Sequence, residues 1–167
     1  LHMATRIASG MVVHTDRKAP IVAVNLWYHV GAKDEVPGKT GFAHLFEHLM
    51  FQGSENHPGE FFDPFELVGA TDQNGTTNSD RTNYFETVPT GQLDLAVRIE
   101  ADRMRNALID DGDRQSEMTV VRNELERGEN EPLSVLDTYA HATAFREHPY
   151  HHPTIGSMED LDAASLN

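Results

Sequence analysis

The sequence predicts an α+β domain, a mixed and mostly antiparallel twisted sheet with helices packed on one side. Three observations lead there. Ile21 to Val30 alternates with a strand period, Thr82 to Val88 is strand-like in composition, and apolar residues recur at helical spacing in successive segments between Pro89 and Ala144. A chain of 167 residues has room for one domain with a core of its own.

Leu1-His2-Met3 reads as a cloning scar, which sets the domain at residues 4–167. Arg6 to His14 reads as a strand interrupted at Gly10, and Thr15 to Pro20 as the turn after it. Both alternating faces of Ile21 to Val30 are largely apolar, which predicts a central strand. Gly31 to Lys39 is a loop, and Thr40 is a candidate N-cap for a helix that Gly53 ends. Asp63-Pro64 starts a short helix that stops at Gly69. Ala70 to Asn78 is polar and poor in bulky groups. We assign it as a weak edge strand, joined through the turn Asp80-Arg81-Thr82 to the strand that follows. Such an edge offers unpaired backbone groups to an extended peptide.

Pro89-Thr90 introduces a helix whose Leu93, Ala96, Val97, Ala101, Met104 and Leu108 form a core-facing stripe. Asp110 to Asp113 breaks it. A further helix from about Arg114 to Gly128 carries Met118, Val121 and Leu125 on one side, and Pro132 opens another through Ala144 with Leu133, Leu136, Tyr139, Ala140 and Thr143 inward. His148 to Pro153 holds three histidines, but its two prolines forbid helical spacing and it reads as a turn. Ser157 and Asp160 match a capping box for a last short helix, and Ser165 supplies a further N-cap with no helix after it. The expectation is a chain that stops before a closing helix and strand.

A formal charge of −14 argues against nucleic acid and anionic membrane as partners and favours basic or neutral peptides. No apolar run approaches the roughly 18 residues that span a bilayer. With no cysteine there is no thiolate metal site, which leaves ten histidines and the acids as ligands.

Chemistry concentrates in Gly41 to Gln52, GFAHLFEHLMFQ. On a helix His44 and His48 stand one turn apart on one face, with Glu47 beside them. Two imidazoles so placed can hold one zinc ion, and a carboxylate one position off the pair can reach a water as general base. The order H-x-x-E-H is the inverse of the commoner H-E-x-x-H zinc-peptidase helix. Such a site needs a third ligand. Glu117, Glu124, His57 and the His148 to His152 turn are candidates, and spacing alone does not choose among them. Glu117 and Glu124 are seven apart and share a helix face, so if one ligates, the other can stand behind a histidine.

These motifs together resemble the pitrilysin family of zinc peptidases: HLFEH at 44–48, Gly59-Glu-Phe61, Gly69-Ala70, Asn74-Gly-Thr-Thr77, Asp80-Arg-Thr82 with Tyr84-Phe85, Ala101-Asp-Arg103, and Glu117 to Glu124. The likeness covers nearly all of the chain after Ser9, and the separation of 76 residues between His48 and Glu124 suits it. It implies a pitrilysin-like fold and a zinc-dependent endopeptidase acting on peptides or unfolded segments. By motif, His44, His48 and Glu124 become zinc ligands, Glu47 the general base and Glu117 the acid behind a ligand, while Asn74, Gly75 and Thr76 line the edge strand that pairs with substrate. Family members enclose their site between two halves. The resemblance therefore implies an N-terminal piece that is inactive without a C-terminal half or a partner subunit, and a dimer is a further possibility. It also implies an alternative role as a non-catalytic scaffold subunit, and a bacterial periplasmic location ahead of a cytoplasmic one.

Overall fold

Residues 10–163 are described by the computed structural model. Three strands, β1 (Ile21–Tyr28), β2 (Thr71–Thr77) and β3 (Thr82–Pro89), form a sheet in the order β1-β3-β2 with both ladders antiparallel. β2 lies at an edge as its composition predicts. β1 does not take the central place expected for it; β3 does. Along β1 the exposure alternates strictly, with Val22, Val24, Leu26 and Tyr28 turned inward, while Ile21 and Trp27 are 53% and 63% exposed. The apolar second face of β1 is therefore an uncovered surface among the described residues, partly screened where the Arg81 guanidinium lies 5.0 Å above the Trp27 ring. The strand expected before it also fails: residues 10–14 are irregular and Met11, Val12 and Val13 are exposed, with no strand paired to them. Residues 6–9 of that reading lie outside the described residues, as does Ser165.

Six helices, α1 (Phe42–Leu49), α2 (Asp63–Glu66), α3 (Leu93–Asn106), α4 (Asp111–Glu129), α5 (Pro132–Ala144) and α6 (Met158–Asp162), complete the described part. They enclose two clusters. Phe61 and Phe65 with Val88 of β3 and Ala96 and Ile99 of α3 fill the space beneath the sheet. Leu45 and Leu49 of α1 pack with Met118, Val121 and Leu125 of α4 and Leu161 of α6. The stripe read on α4 is thus the buried one, and Asp110 starts this helix by accepting from the Asp113 amide.

Two helices turn differently from the apolar pattern. On α3 the buried face is Ala96, Ile99, Glu100 and Arg103, whereas Leu93, Val97 and Leu108 are exposed. The reason is a charged group that the core accepts. The Arg103 guanidinium lies between the rings of Phe61 and Tyr84, 3.9 and 3.8 Å from their centroids, and pairs with Glu100, while Glu86 of β3 is only 1% exposed. On α5 no residue is buried, and Leu133, Leu136 and Tyr139, expected to face inward, are 63–73% exposed. Asp102, next to Arg103, ties the segment after α1 to α3 by accepting from Ser54 Oγ (2.5 Å), the Asn56 side chain (2.6 Å) and Asn106 (2.7 Å). Those bonds, Ser54 foremost, hold its carboxyl well below the usual range.

Burial pushes both Glu86 and Glu100 up, Glu86 to about 8, with Arg103 opposing. A carboxyl raised in the fold contributes stability that is fully present below its ordinary 4.5 and is lost as pH climbs through about 8. Glu86→Gln, neutral at every pH, should therefore gain on the parent, on the order of a kcal/mol or more, on going from acid to alkaline conditions. Denaturant unfolding at both pH values measures it, and a gap independent of pH would show that the fold does not raise the Glu86 carboxyl.

Candidate metal centre

α1 meets α4 through Leu45 and Leu49, and the residues between them on the same side are the polar ones. The helix does not take Thr40 as its N-cap. Gly41 stands there, with φ of 87°, and the first-turn N–H groups of Gly41 and Ala43 go to the Glu35 carboxylate. Thr40 instead donates its amide and hydroxyl to Asp160. Asp160 is thereby spent on Thr40 rather than closing the second half of a capping box with Ser157, whose hydroxyl does cap α6. α1 ends at Leu49, before Gly53.

His44, His48 and Glu124 come together, with one ligand atom from each within 4.8 Å of the others. Both histidines aim Nε2 at one oxygen: Glu124 Oε2 is 3.7 Å from His44 and 3.6 Å from His48. Donors held about 2.0–2.1 Å from a tetrahedral ion lie roughly 3.3 Å apart, so a small contraction converts this triangle into a coordination sphere. Two imidazole nitrogens and a carboxylate oxygen suit zinc, and the half-exposed Glu124 leaves one side open to water. Behind the triangle, His48 Nδ1 lies 3.1 Å from Glu117 Oε2, and Gln52 donates to the other Glu117 oxygen at 2.6 Å. Burial disfavours the His48 cation, but Glu124 and Glu117 outweigh it and raise its pKa; burial lowers that of His44. His48 in turn holds Glu124 down.

Glu47, 7% exposed, points at β2 rather than at the triangle's ligand atoms. Thr77 Oγ donates to Glu47 Oε2 at 2.5 Å. Burial pushes the Glu47 carboxyl up, and Thr77 and His48 draw it back. Glu47, both histidines, Phe51, Glu124 and the strand from Asn74 to Thr77 line a cavity of about 420 Å³. Asn78 N–H bonds to Arg81 C=O at 3.0 Å, so by alternation Thr77 and Gly75, opposite Thr82 and Tyr84, turn their N–H and C=O groups away from β3, toward the open edge of β2. Asn74 Oδ1 accepts from Gly75 N–H at 2.9 Å, and Arg81 braces Thr76 from behind. Only glycine fits at 75, since a Cβ there would stand 2.8 Å from Phe51 and 3.2 Å from Glu47 Cγ.

The other ligand candidates lie elsewhere. His57 faces Asp102 at 3.3 Å, His152 faces Glu35, and His148 contacts Tyr150. Thr77, Gln52 and Glu35 were missed in the sequence. Gln52 stands four residues after His48 and was findable by helical spacing; Thr77 and Glu35 reach α1 from a strand and a loop, and no local pattern announces them.

Residues 11–158 match the sequence profile of the insulinase peptidase family M16. The chain is 31% identical to the zinc protease PqqE of Helicobacter pylori, over 99% of this chain and 38% of that protein. It is 27% identical to subunit 1 of the mitochondrial cytochrome b-c1 complex of Bos taurus, over 94% of this chain and 33% of that one. A crystal structure of a protease from Helicobacter pylori superposes with a TM-score of 0.84 at 33% identity, covering 89% of this chain and 36% of that one. The chain thus spans about a third of the length of each of these relatives. Matched across most of its length by sequence and by fold, the chain belongs to the M16 family of peptidases.

Proposed function

We propose that this chain is the zinc-binding domain of an endopeptidase, with His44, His48 and Glu124 as ligands, Glu47 as general base and Glu117 supporting His48. The observation that carries the reading is the convergence of both Nε2 atoms on one Glu124 oxygen beside a buried glutamate that is not part of the triangle. When bound, zinc makes a water acidic enough to attack and polarises the scissile carbonyl. Thr77 occupies Glu47 Oε2 and leaves Oε1 for the proton. Glu47 takes that proton from the attacking water and returns it to the leaving amine. Glu117 holds the His48 ring through Nδ1.

An extended peptide or unfolded segment is the substrate we infer. The open edge of β2 gives its backbone a ladder, with Asn74, Gly75 and Thr76 nearest the cavity. Among the described residues, β2 is the one strand that lines the groove. We therefore infer that a C-terminal half of the same protein, or a partner subunit, closes it, that the isolated chain binds zinc without cleaving, and that a second copy is a possible partner. The likeness to a respiratory-complex subunit favours one competing reading, a scaffold role without cleavage. The complete set of polar side chains at the centre weighs against it.

In the full-length parent, Glu47→Gln should keep zinc and lower kcat by at least about a hundredfold; retained turnover would remove Glu47 as the base. Glu124→Ala should lose zinc by elemental analysis, whereas Glu117→Gln should keep the stoichiometry and weaken affinity by roughly 10–100-fold in a chelator competition. The reverse order of the two losses would exchange the roles of the glutamates.

A further inference from the structure

The two histidines of the centre are held unequally. His48 has Glu117 against Nδ1, the usual means by which a ligand imidazole is oriented. His44 Nδ1 is buried and has no hydrogen-bond partner among the described residues. The orientation of its ring must therefore come from the backbone that carries it, the first turn of α1.

That turn is fastened in an uncommon way. An N-cap side chain ordinarily accepts the first free N–H groups of a helix. Here the N-cap is Gly41, and a Cβ there would come within 2.4 Å of the Ile155 carbonyl oxygen, so close packing of the loop before α6 excludes any side chain. The acceptor comes instead from outside the helix. Glu35, 5% exposed, takes the N–H of Ala43 on Oε1 at 2.7 Å and that of Gly41 on Oε2 at 3.0 Å. Both of its oxygens are spent on the turn that ends at His44. The groups packed round it are His152, whose Nδ1 is 3.8 Å from Oε2, and Asp160, which fixes Thr40 one residue before the N-cap. Burial pushes the Glu35 carboxyl up to about 7 against the pull of those N–H groups.

We propose that Glu35 is a positioning residue for the metal centre, holding the first turn of α1 so that His44, the ligand without a partner of its own, presents Nε2 to the ion. The proposal rests on the zinc reading above. It gives the otherwise unassigned acid of the Gly31 to Lys39 loop a role, and it makes the His148 to His152 turn a wall of that clamp rather than a metal site.

A cap that served the fold alone would lower stability and leave the metal untouched. The test compares Glu35→Gln and Glu35→Ala with the parent, by zinc affinity in a chelator competition and by the visible spectrum of bound Co²⁺, which reports ligand geometry. Val88→Ala, in the cluster beneath the sheet, supplies a loss of stability away from the site. Glu35→Ala should bind zinc roughly 10–100-fold more weakly, the scale for removing an outer support of a ligand, with an altered cobalt spectrum. Glu35→Gln, which keeps one acceptor oxygen, should fall between it and the parent; should the alanine variant not fold, the glutamine variant decides. Parent-like affinity and spectrum in the folded glutamine variant, or an equal loss in Val88→Ala, overturns the proposal while leaving the zinc reading intact. A parent that takes up no more zinc than His44→Ala overturns the zinc reading itself and this proposal with it.

Discussion

Leu45 and Leu49 of α1 interlock with Met118, Val121 and Leu125 of α4, and on both helices the polar residues of the site are interleaved with these apolar ones. Glu117 precedes Met118, and Glu124 precedes Leu125; His44 precedes Leu45, and His48 precedes Leu49. The register of an apolar contact is thereby the register of the site. Interiors are close-packed and tolerate little sliding, so the helix pair that excludes water from one side of the contact also sets the two imidazoles against the two carboxylates on the other. This contact brings His48 and Glu124, 76 positions apart, together.

This is why the site was legible in the sequence to the extent it was. His44, Glu47 and His48 follow from helical geometry alone, as does the pairing of Glu117 with Glu124 on one face, but the choice of Glu124 as the residue in the triangle depends on the offset between two helices, which no single-helix pattern contains. The resemblance supplied that offset. Thr77 and Glu35 were beyond reach for the same reason: each acts across a tertiary contact, and neither sits at a spacing that its own element makes meaningful.

Fold errors have a common cause as well. The apolar stripes on α3 and α5 and the second face of β1 were all taken as inward because hydrophobic residues tend to be buried, and that tendency holds in only one direction. On α3 it fails because Arg103, stacked between Phe61 and Tyr84, is an inward residue with a charge. A guanidinium can be buried between aromatic faces when a carboxylate pairs with it, and Glu100 meets Nη2 from the same helix. The helix then rotates to put Glu100 and Arg103 beneath the sheet, and Val97 goes outward with no fault of its own. On α5 and the second face of β1 the apolar residues face open space among the described residues, whereas α4, with apolar partners on α1 and α6, follows its stripe as read.

Charge explains why the centre suits a divalent cation rather than a further hydrogen-bond network. Glu47, Glu117 and Glu124 surround two imidazoles in a half-buried cavity, within a chain that already carries a formal −14. Desolvated carboxylates are costly unless paired, and the site offers few cations of its own: His44 is driven toward neutrality by burial, leaving His48 as the imidazole that its neighbours favour as a cation. On the proposed reading, a dication held by Glu124, His44 and His48 would supply the missing charge without needing either imidazole protonated, and would leave Glu47 with Thr77 on one oxygen. The same arrangement that makes the groove acidic without a metal would be balanced with one, so the proposed affinity for an ion and the proposed availability of Glu47 as base would come from a single distribution of charge.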